Sequence, residues 1–227
     1  MEYISKKSYG EEYEEHDIKK FVEDLKLYDK IITANVEGFT SFETITKDLI
    51  NDFCLFNVVD GYINSYTHQD PRIIQEWESV PEECKNKFVT FSEIITVGII
   101  ENIRKNAIDH GGFSKKEKGK VHYSLILKDD KLVLEIKNNG KPIQGKFESF
   151  TDKNEKIAKD MDASNMFIEG ASTKKGREGH GLGCYSMKKY LEHTNEEGKA
   201  YGSIKVESNP NEEYKVKYIL TFNLIKK

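Results

Sequence analysis

The chain has 227 residues, with 35 lysines and arginines against 39 aspartates and glutamates, and so carries a formal net charge of −4. This balance excludes a protein that coats nucleic acid or binds membranes through a polybasic surface. No stretch approaches the about 18 consecutive apolar residues of a membrane-spanning helix, and the start of the chain lacks the apolar segment of a signal peptide. Its cysteines, Cys54, Cys84 and Cys184, are too widely spaced for a disulfide framework or a zinc site. We therefore expect a cytoplasmic protein with reduced thiols.

The N-terminal part of the chain is predicted to be mainly helical. Residues 9–28 place apolar side chains at helical spacing among acids and lysines, whereas residues 31–36 favour a short strand. A second helix is predicted to begin after Ser41, a plausible N-cap, and to run through several apolar residues toward Tyr62. No low-complexity tract or flexible linker interrupts this organisation.

A third helix is predicted from Pro81 to His110, because apolar residues recur at helical spacing and two glycines follow as a C-terminal stop. The hydrophobic period then changes to that of strands. The segments VHYSLILK and KLVLEIK flank Asp129 and Asp130, and this arrangement predicts a β-hairpin.

A long irregular stretch is expected over residues 138–183, long enough to be functional. A helix from about Leu182 to His193 and a second hairpin, formed by GSIKVES and VKYILTFNLI, follow it. This order of elements predicts a two-layer α/β sandwich, in which a mixed sheet carries helices on one face. We expect a mainly helical region over residues 1–87 and the sandwich domain over residues 88–227.

The first segment with chemical potential is ENIRKNAIDHGG, residues 101–112. Asn102, Asn106 and His110 lie four residues apart and so form one stripe on a helix. Asparagine is a poor interior helix former, which suggests that two in register serve a purpose beyond a solvated surface. A side-chain carbonyl there can fill one position of an octahedral Mg²⁺ whose other ligands are phosphate oxygens and water.

The second segment is EIKNNGKPI, residues 135–143, a strand that stops at Asn138, Asn139 and Gly140. An Asn-Gly pair with a proline downstream is often only a turn. If the Asn138 amide faces a cavity instead, its carbonyl can accept a hydrogen bond from an adenine amino group.

The third segment is GASTKKGREGHGLGCYSMKKYLE, residues 170–192. Gly179, Gly181 and Gly183 alternate into a helix start, where backbone N–H groups can approach an anion. Hydroxyl and cationic side chains suited to phosphate oxygens precede them. These are Ser172, Thr173, Lys174, Lys175 and Arg177. The segment therefore has the composition of a phosphate-covering lid, although a plain flexible loop is the alternative.

Together, NAIDHGG, NNGKPI, MFIEGASTKK and GHGLG followed by SMKKYLE resemble the nucleotide-binding boxes of the GHKL superfamily of ATPases, which have the Bergerat fold. This superfamily unites gyrase, heat-shock chaperone, histidine kinase and MutL-type proteins. The resemblance covers roughly residues 88–227 and is greatest to the ATP-binding domain of sensor histidine kinases. It implies ATP and Mg²⁺ as ligands and a role in signalling by phosphotransfer. No Walker P-loop is present.

The resemblance also implies roles for single residues. Asn106 would coordinate Mg²⁺, while Asn102 and His110 would lie beside it in the nucleotide site. Asn138 would read adenine, and Gly140 would let the base approach.

Further implied residues follow along the chain. Ile143 would contribute to the nucleotide site, and Phe167 would anchor the lid. The remaining implied nucleotide-binding residues belong to the lid and the glycine segment: Ser172, Thr173, Lys174, Gly179, His180, Gly181, Leu182 and Gly183.

The sequence departs from the family pattern in three places. The adenine-reading position is usually aspartate, whereas Asn138 keeps an acceptor and adds a donor. Pro142 replaces the second glycine of that box. Hydrolysing members carry a glutamate four residues before the metal asparagine, but here Asn102 occupies that position and Glu101 lies about 100° around the helix. Because asparagine cannot take a proton from water, we expect phosphoryl transfer or plain nucleotide binding rather than rapid hydrolysis.

The resemblance to histidine kinases implies transfer of the γ-phosphate to a protein acceptor. His16 is the candidate acceptor within the chain, since Asp17 follows it on a predicted helix as in the family's acceptor box. Lys20 stands where the family has an amide or hydroxyl, so an ordinary exposed histidine is the alternative. His68, followed by Gln69, fits the box less well.

Other functions stay open from the sequence. One is an ATP-gated interaction module or slow ATPase, in which ATP orders the lid at residues 168–182 and the N-terminal helices contact a partner or a second copy. Others are a serine kinase of the anti-sigma-factor type, whose NAxxHG helix is similar to NAIDHGG, and a non-enzymatic remnant of the fold. The expected partners are ATP, a protein phosphoacceptor or signalling partner, and a second copy bound through the N-terminal helices, with no nucleic acid and no membrane segment.

Overall fold

A computed structural model describes residues 49–66, 70–150, 156–168, 182–195 and 197–225. Their elements belong to one compact unit, Leu49–Lys227. The helix expected over residues 9–28 and the strand expected over residues 31–36 lie outside the described residues. None of the helices within the described ranges is long and apolar enough to cross a membrane.

This unit contains both helices and strands. In chain order they are β1 (Asn51–Cys54), α1 (Leu55–Tyr66), β2 (Ile73–Ser79), a short 3-10 helix (Glu82–Cys84), β3 (Phe88–Phe91), α2 (Glu93–His110), β4 (Gly119–Lys128), β5 (Lys131–Asn138), β6 (Lys146–Phe150), β7 (Lys156–Asp160), α3 (Leu182–Leu191), β8 (Gly202–Ser208) and β9 (Val216–Asn223).

A five-stranded sheet of order β2-β4-β5-β9-β8 forms one layer of the fold. Strands β2 and β4 run parallel, and the other pairs are antiparallel, so the sheet is mixed. Alternate residues of β9 are buried, which places one face of the sheet against the helices. The predicted α/β fold, a mixed sheet with helices, is thus confirmed.

Both predicted hairpins are present in this sheet. Strands β4 and β5 pair with Lys128 opposite Lys131, so Asp129 and Asp130 form a two-residue turn. Asp129 has a φ of 54°, a left-handed conformation that aspartate tolerates because its short side chain can bond locally. Strands β8 and β9 form the second hairpin, in which Ser208 pairs with Val216.

Helix α2 has well-defined ends. At its start, the Ser92 hydroxyl accepts a hydrogen bond from the Ile95 amide across 3.3 Å, and this satisfies a donor that the helix itself cannot pair. At its end, the Gly111 amide donates to Ala107 across 2.8 Å, and Gly112 then turns the chain with a φ of 76°. The predicted C-terminal stop after His110 is therefore confirmed.

The start predicted for this helix, Pro81, is wrong. A short 3-10 helix follows Pro81, and β3 then pairs with β1 before α2 begins at Glu93. Phe88 and Phe91 are three residues apart, as on a helix, but Val89 and Phe91 are the buried pair and alternate as on a strand. Short apolar runs of this kind do not distinguish the two periods.

Three other expectations differ from the structure. The helix expected from Ser41 toward Tyr62 contains strand β1 before α1 begins at Leu55, while residues 41–48 lie outside the described part. The irregular stretch expected after Asn138 contains the hairpin of β6 and β7. The region expected to be mainly helical, residues 1–87, contributes β2, whose parallel pairing with β4 makes it an edge strand of the sheet.

A charged cluster joins helix α1 to helix α2. The carboxylate of Glu101 accepts two hydrogen bonds from Arg104, at 2.7 and 2.8 Å, and a third from the Tyr62 hydroxyl at 2.6 Å. Burial opposes ionisation of Glu101, but the hydrogen bonds from Arg104 and Tyr62 outweigh it and lower its pKa. Arg104 is almost fully buried, whereas the Glu101 side chain is 35% exposed, so solvent screens the pair in part.

This cluster predicts a pH-dependent contribution to stability. Glu101→Gln should lower the free energy of unfolding at pH 7 by about 1–2 kcal/mol, because the bidentate charged pair is lost. Since the folded-state pKa lies below the unfolded value of about 4.3, the difference from wild type should be full above that pH and should vanish as the pH falls through the lowered pKa.

Denaturant unfolding from pH 7 to pH 3 measures this difference. The exposed residue Glu117 offers a matched control, and Glu117→Gln should change stability little at any pH. A Glu101→Gln deficit that stays constant down to pH 3 would contradict the assignment.

Candidate nucleotide-binding site

The polar stripe of α2 faces the start of helix α3. The Asn102 carbonyl oxygen lies 3.5 Å from the position that a Cβ on Gly183 would take. One turn further, the Asn106 amide nitrogen donates to the Cys184 sulfur across 3.4 Å. The last glycine of the GHGLG segment and the two asparagines, which are far apart in sequence, are therefore neighbours in the fold.

The surroundings of Asn106 are polar but neutral. Burial raises the pKa of the Cys184 thiol to about 11, although the hydrogen bond from Asn106 acts against this rise. Burial and the nearby Cys184 raise the pKa of Tyr218, while the Asn106 side chain lowers it. Both groups are therefore protonated at pH 7, and neither places a negative charge where phosphates would bind.

Asn138 occupies the buried end of strand β5. Its side chain is only 3% exposed, and its carbonyl oxygen accepts a hydrogen bond from the Gly140 amide across 3.1 Å. The next residue, Asn139, is bonded to Lys120 at the start of β4, accepting from its amide at 2.7 Å and donating to its carbonyl at 3.3 Å. Asn139 thus fixes the turn to strand β4, and the Gly140 amide orients the side-chain amide of Asn138.

Gly140 brings this turn against the end of helix α2. A Cβ on Gly140 would lie 2.6 Å from the Gly111 Cα, a distance that real Cβ atoms do not reach. The Lys141 amide donates to the Gly111 carbonyl across 3.1 Å and closes the contact. His110, the last residue of α2, is exposed beside this junction. The structure therefore brings the second predicted segment to the same helix as the first.

The other predicted residues divide into described and undescribed ones. Ile143 is half-buried against the core, and its amide donates to the Ser208 hydroxyl across 2.9 Å. Phe167 also packs against the core, next to the buried Met166. Leu182 begins helix α3. The remaining predicted site residues lie outside the described residues: His16, Ser172, Thr173, Lys174, Gly179, His180 and Gly181.

Glu101 does not belong to this site. Its carboxylate is bonded to Arg104 and Tyr62, which lie toward helix α1 rather than toward α3. The sequence placed Glu101 off the asparagine stripe, and the hydrogen bonds hold it there. A general base is thus absent from the position next to Asn102 among the residues that the structure describes.

Three residues at the site were not expected from the sequence. Cys184 and Tyr218 flank Asn106, and the ring of Phe113 contacts the glycines on which Asn138 and α2 converge. Cys184 could have been noticed because it directly follows GHGLG. Tyr218 and Phe113 carry no local signal, since their proximity to the site arises from the pairing of distant strands.

Asn106 fits the chemistry of a magnesium ligand. Within the described ranges, no three His, Cys, Asp or Glu side chains gather as they would in a metal site made of protein groups alone. Mg²⁺ in nucleotide sites commonly takes few protein oxygens and completes its octahedron with phosphates and water. The bond from the Asn106 nitrogen to Cys184 fixes the amide plane, so the side-chain oxygen is the atom that can turn to a hard cation.

The fold and this arrangement define a nucleotide-binding domain of the α/β sandwich class. Residues 93–224 match the family described as histidine kinase-, DNA gyrase B-, and HSP90-like ATPase. Because this match covers more than half of the chain, the protein belongs to that family, and the domain is an ATP-binding domain of the histidine kinase-like kind. No curated protein sequence matches the chain.

Solved structures agree with this fold. The nucleotide-free catalytic domain of histidine kinase ThkA has a TM-score of 0.54 at 19% identity, over 77% of this chain and 95% of that one. The mycobacterial sensor histidine kinase MprB has a TM-score of 0.53 at 14% identity, over 78% of this chain and 99% of that one. The structure of ThkA in complex with the response regulator protein TrrA has a TM-score of 0.53 at 17% identity, over 99% of this chain and 56% of that one. At these identities the likeness concerns the fold alone.

The close approach of Gly140 to Gly111 predicts an asymmetric response to glycine substitution. Gly140→Ala should lower the free energy of unfolding by about 1–3 kcal/mol, because its Cβ meets backbone that cannot move aside. Gly98→Ala is the matched control, because Gly98 lies within helix α2 and an added Cβ there would meet nothing within 4 Å. It should raise stability by about 0.5–1 kcal/mol.

Thermal unfolding of the two variants measures both effects. Equal behaviour of Gly140→Ala and Gly98→Ala would mean that the turn does not press against the helix end.

Proposed function

We propose that this domain binds MgATP between helix α2, the start of helix α3 and the Asn138 turn, and transfers the γ-phosphate to a protein acceptor in signalling. One observation carries the proposal. Three segments that resemble nucleotide-binding boxes meet around α2, through Asn102 with Gly183, Asn106 with Cys184, and Gly111 with Gly140.

Each group around this helix suits one part of the nucleotide. The buried carbonyl of Asn138 can accept from an adenine amino group while it keeps its bond to Gly140, since an amide oxygen has two lone pairs. The N-terminus of α3 directs backbone N–H groups toward an anion. Asn102 can donate its amide hydrogens to a phosphate oxygen, and Asn106 can hold the metal with its carbonyl. When bound, Mg²⁺ supplies neutralisation of the charge on the β- and γ-phosphates.

The same groups favour transfer over hydrolysis. Attack by water is fastest when a positioned base removes a proton, and an asparagine amide cannot do so. Asn102 occupies the base position, and the ionised Glu101 is committed to Arg104 and Tyr62. A bound γ-phosphate would therefore persist long enough for an acceptor on another segment or protein to meet it. The ThkA complex with its response regulator shows that a protein of this fold binds a signalling protein, and we extend that kind of partner to this chain.

The role of Asn106 is tested by its dependence on magnesium. With a non-hydrolysable ATP analogue, Asn106→Ala should bind about tenfold more weakly than wild type in Mg²⁺, the loss of roughly 1.4 kcal/mol that one ligand contact supplies. In EDTA the two proteins should bind alike. Asn106→Asp keeps an oxygen ligand and should retain most of the Mg²⁺ effect.

The readout is the ratio of calorimetric Kd values without and with Mg²⁺, in which a general loss of stability cancels. Asn57→Ala is the matched control, because Asn57 is exposed on helix α1 away from the site. If Asn106→Ala keeps the wild-type ratio, the magnesium assignment fails.

Phosphotransfer is tested with ATP labelled at the γ-phosphate. We expect an acid-labile, base-stable label on the chain, which is the signature of phosphohistidine, or a label on an added receiver protein that both acid and base remove, which is the signature of an acyl phosphate. His16→Gln should abolish labelling of the chain, whereas His68→Gln should leave it unchanged. Label that resists acid would indicate transfer to a hydroxyl instead, and a chain that binds ATP but takes up no label excludes autophosphorylation on histidine.

A further inference from the structure

The ring of Phe113 lies where three glycines leave space for it. A Cβ on Gly119 would come well under 3.0 Å from three atoms of the ring. A Cβ on Gly111 would lie 2.6 and 2.8 Å from it, and one on Gly140 would lie 3.0 Å from it. Real Cβ atoms essentially never approach other atoms more closely than 3.0 Å, so a side chain at Gly119 would displace the ring, and one at Gly111 would meet both the ring and the Ala107 carbonyl.

These glycines belong to three different elements. Gly111 follows the last turn of α2, Gly119 begins β4, and Gly140 lies in the turn after β5. Backbone hydrogen bonds join the same segments around the ring, from Lys141 to Gly111 at 3.1 Å and from Asn139 to Lys120 at 3.3 Å. Phe113 is therefore the side chain against which the helix end and the Asn138 turn are both packed.

The orientation of the Asn138 amide depends on this packing. The Asn138 side-chain oxygen accepts a hydrogen bond from the Gly140 amide, which can only donate. This bond therefore requires the oxygen of the Asn138 amide, and not its nitrogen, to face Gly140. A shift of Gly140 toward an empty Phe113 site would release that bond. The Asn138 amide could then rotate and exchange its acceptor for its donor. Adenine offers an amino donor where guanine offers a carbonyl acceptor, so this rotation would exchange the preferred base.

We propose that Phe113 is a positioning residue for the nucleobase, which holds the Asn138 amide in the orientation that selects adenine. This inference rests on the proposed ATP site. It assigns a purine-selecting function to an aromatic side chain that does not itself have to touch the base, and it makes selectivity, rather than affinity for phosphate, the property that Phe113 controls.

The test separates base recognition from phosphate recognition. Phe113→Ala and the smaller change Phe113→Leu are compared with wild type for binding of ATP, GTP and inorganic tripolyphosphate, all with Mg²⁺. We expect Phe113→Ala to weaken ATP about fivefold to tenfold, the effect of losing one base contact, and to reduce the ratio of ATP to GTP affinity by a similar factor. Affinity for tripolyphosphate should stay within about twofold. The ATP affinity and the ATP to GTP ratio of Phe113→Leu should lie between those of wild type and Phe113→Ala.

Two further variants control for general damage. Gly119→Ala should lower ATP selectivity as Phe113→Ala does, because its Cβ drives the ring from its position. The double variant should be no worse than Phe113→Ala alone, since the new methyl group then enters vacated space. Phe56→Ala removes another half-buried phenylalanine, which stacks on Trp77, and should leave the ATP to GTP ratio unchanged.

The outcomes distinguish this inference from the function on which it rests. A wild-type protein that binds neither ATP nor tripolyphosphate overturns the proposed function itself. A wild-type protein that binds ATP and GTP equally, or folded Phe113 variants that keep the wild-type ratio, overturn the role of Phe113 and leave the ATP site standing. Equal losses for ATP, GTP and tripolyphosphate in both Phe113 variants also overturn it, because they indicate damage to the whole site.

Discussion

Helix α2 packs against helix α1, the sheet and helix α3, and this placement determines where the rest of the site can lie. Ile99, Ile103 and Ala107 are buried in the hydrophobic core, which fixes the rotation of the helix about its axis. Asn102 and Asn106, four positions apart, then form a half-buried stripe along the border of this apolar face, and the stripe meets Gly183 and Cys184 at the start of α3. A small rotation of α2 would expose the isoleucines, so the burial of apolar surface also holds the asparagines in position.

The distribution of charge on the same helix underlies our proposal that the domain binds ATP without rapid hydrolysis. Glu101 is adjacent to Asn102 in sequence, but about 100° of helix rotation turns it toward α1. There the arginine and tyrosine partners keep the carboxylate ionised and occupied. Next to Asn106, the side chains of Cys184 and Tyr218 are protonated and therefore uncharged at pH 7. The carboxylate adjacent to Asn102 in sequence is thus held by partners on the side of α2 that faces α1.

The sequence was sufficient where a segment is long and has a single period. The hairpin of β4 and β5, the end of α2, helix α3 and the hairpin of β8 and β9 were all predicted. It was insufficient for β1 and β3, because apolar runs of four residues such as Phe88–Phe91 fit either period, and only their mutual pairing decides. At the predicted site, Asn106 and Asn138 stand out within their segments, and the structure places Asn106 against α3 and Asn138 in the turn that meets the end of α2. Phe113 and Tyr218 do not stand out, since their roles depend on distances between elements that no local pattern encodes.

The glycines of the site illustrate why a residue type alone does not reveal its purpose. Gly112 is needed for its backbone conformation, with a φ of 76°, and ends a helix in the way that glycine commonly does. Gly111, Gly119 and Gly140 have no such conformation and are needed because a Cβ would collide with a ring or with backbone. Each such glycine costs conformational entropy on folding, and a close-packed aromatic contact offsets part of that cost. A junction built in this way leaves little room for added atoms, because a Cβ at any of these glycines would meet the ring or the backbone at 3.0 Å or less. Such rigidity suits the adenine-selecting role that we propose for the Asn138 amide, because adenine and guanine differ mainly in where they carry donors and acceptors.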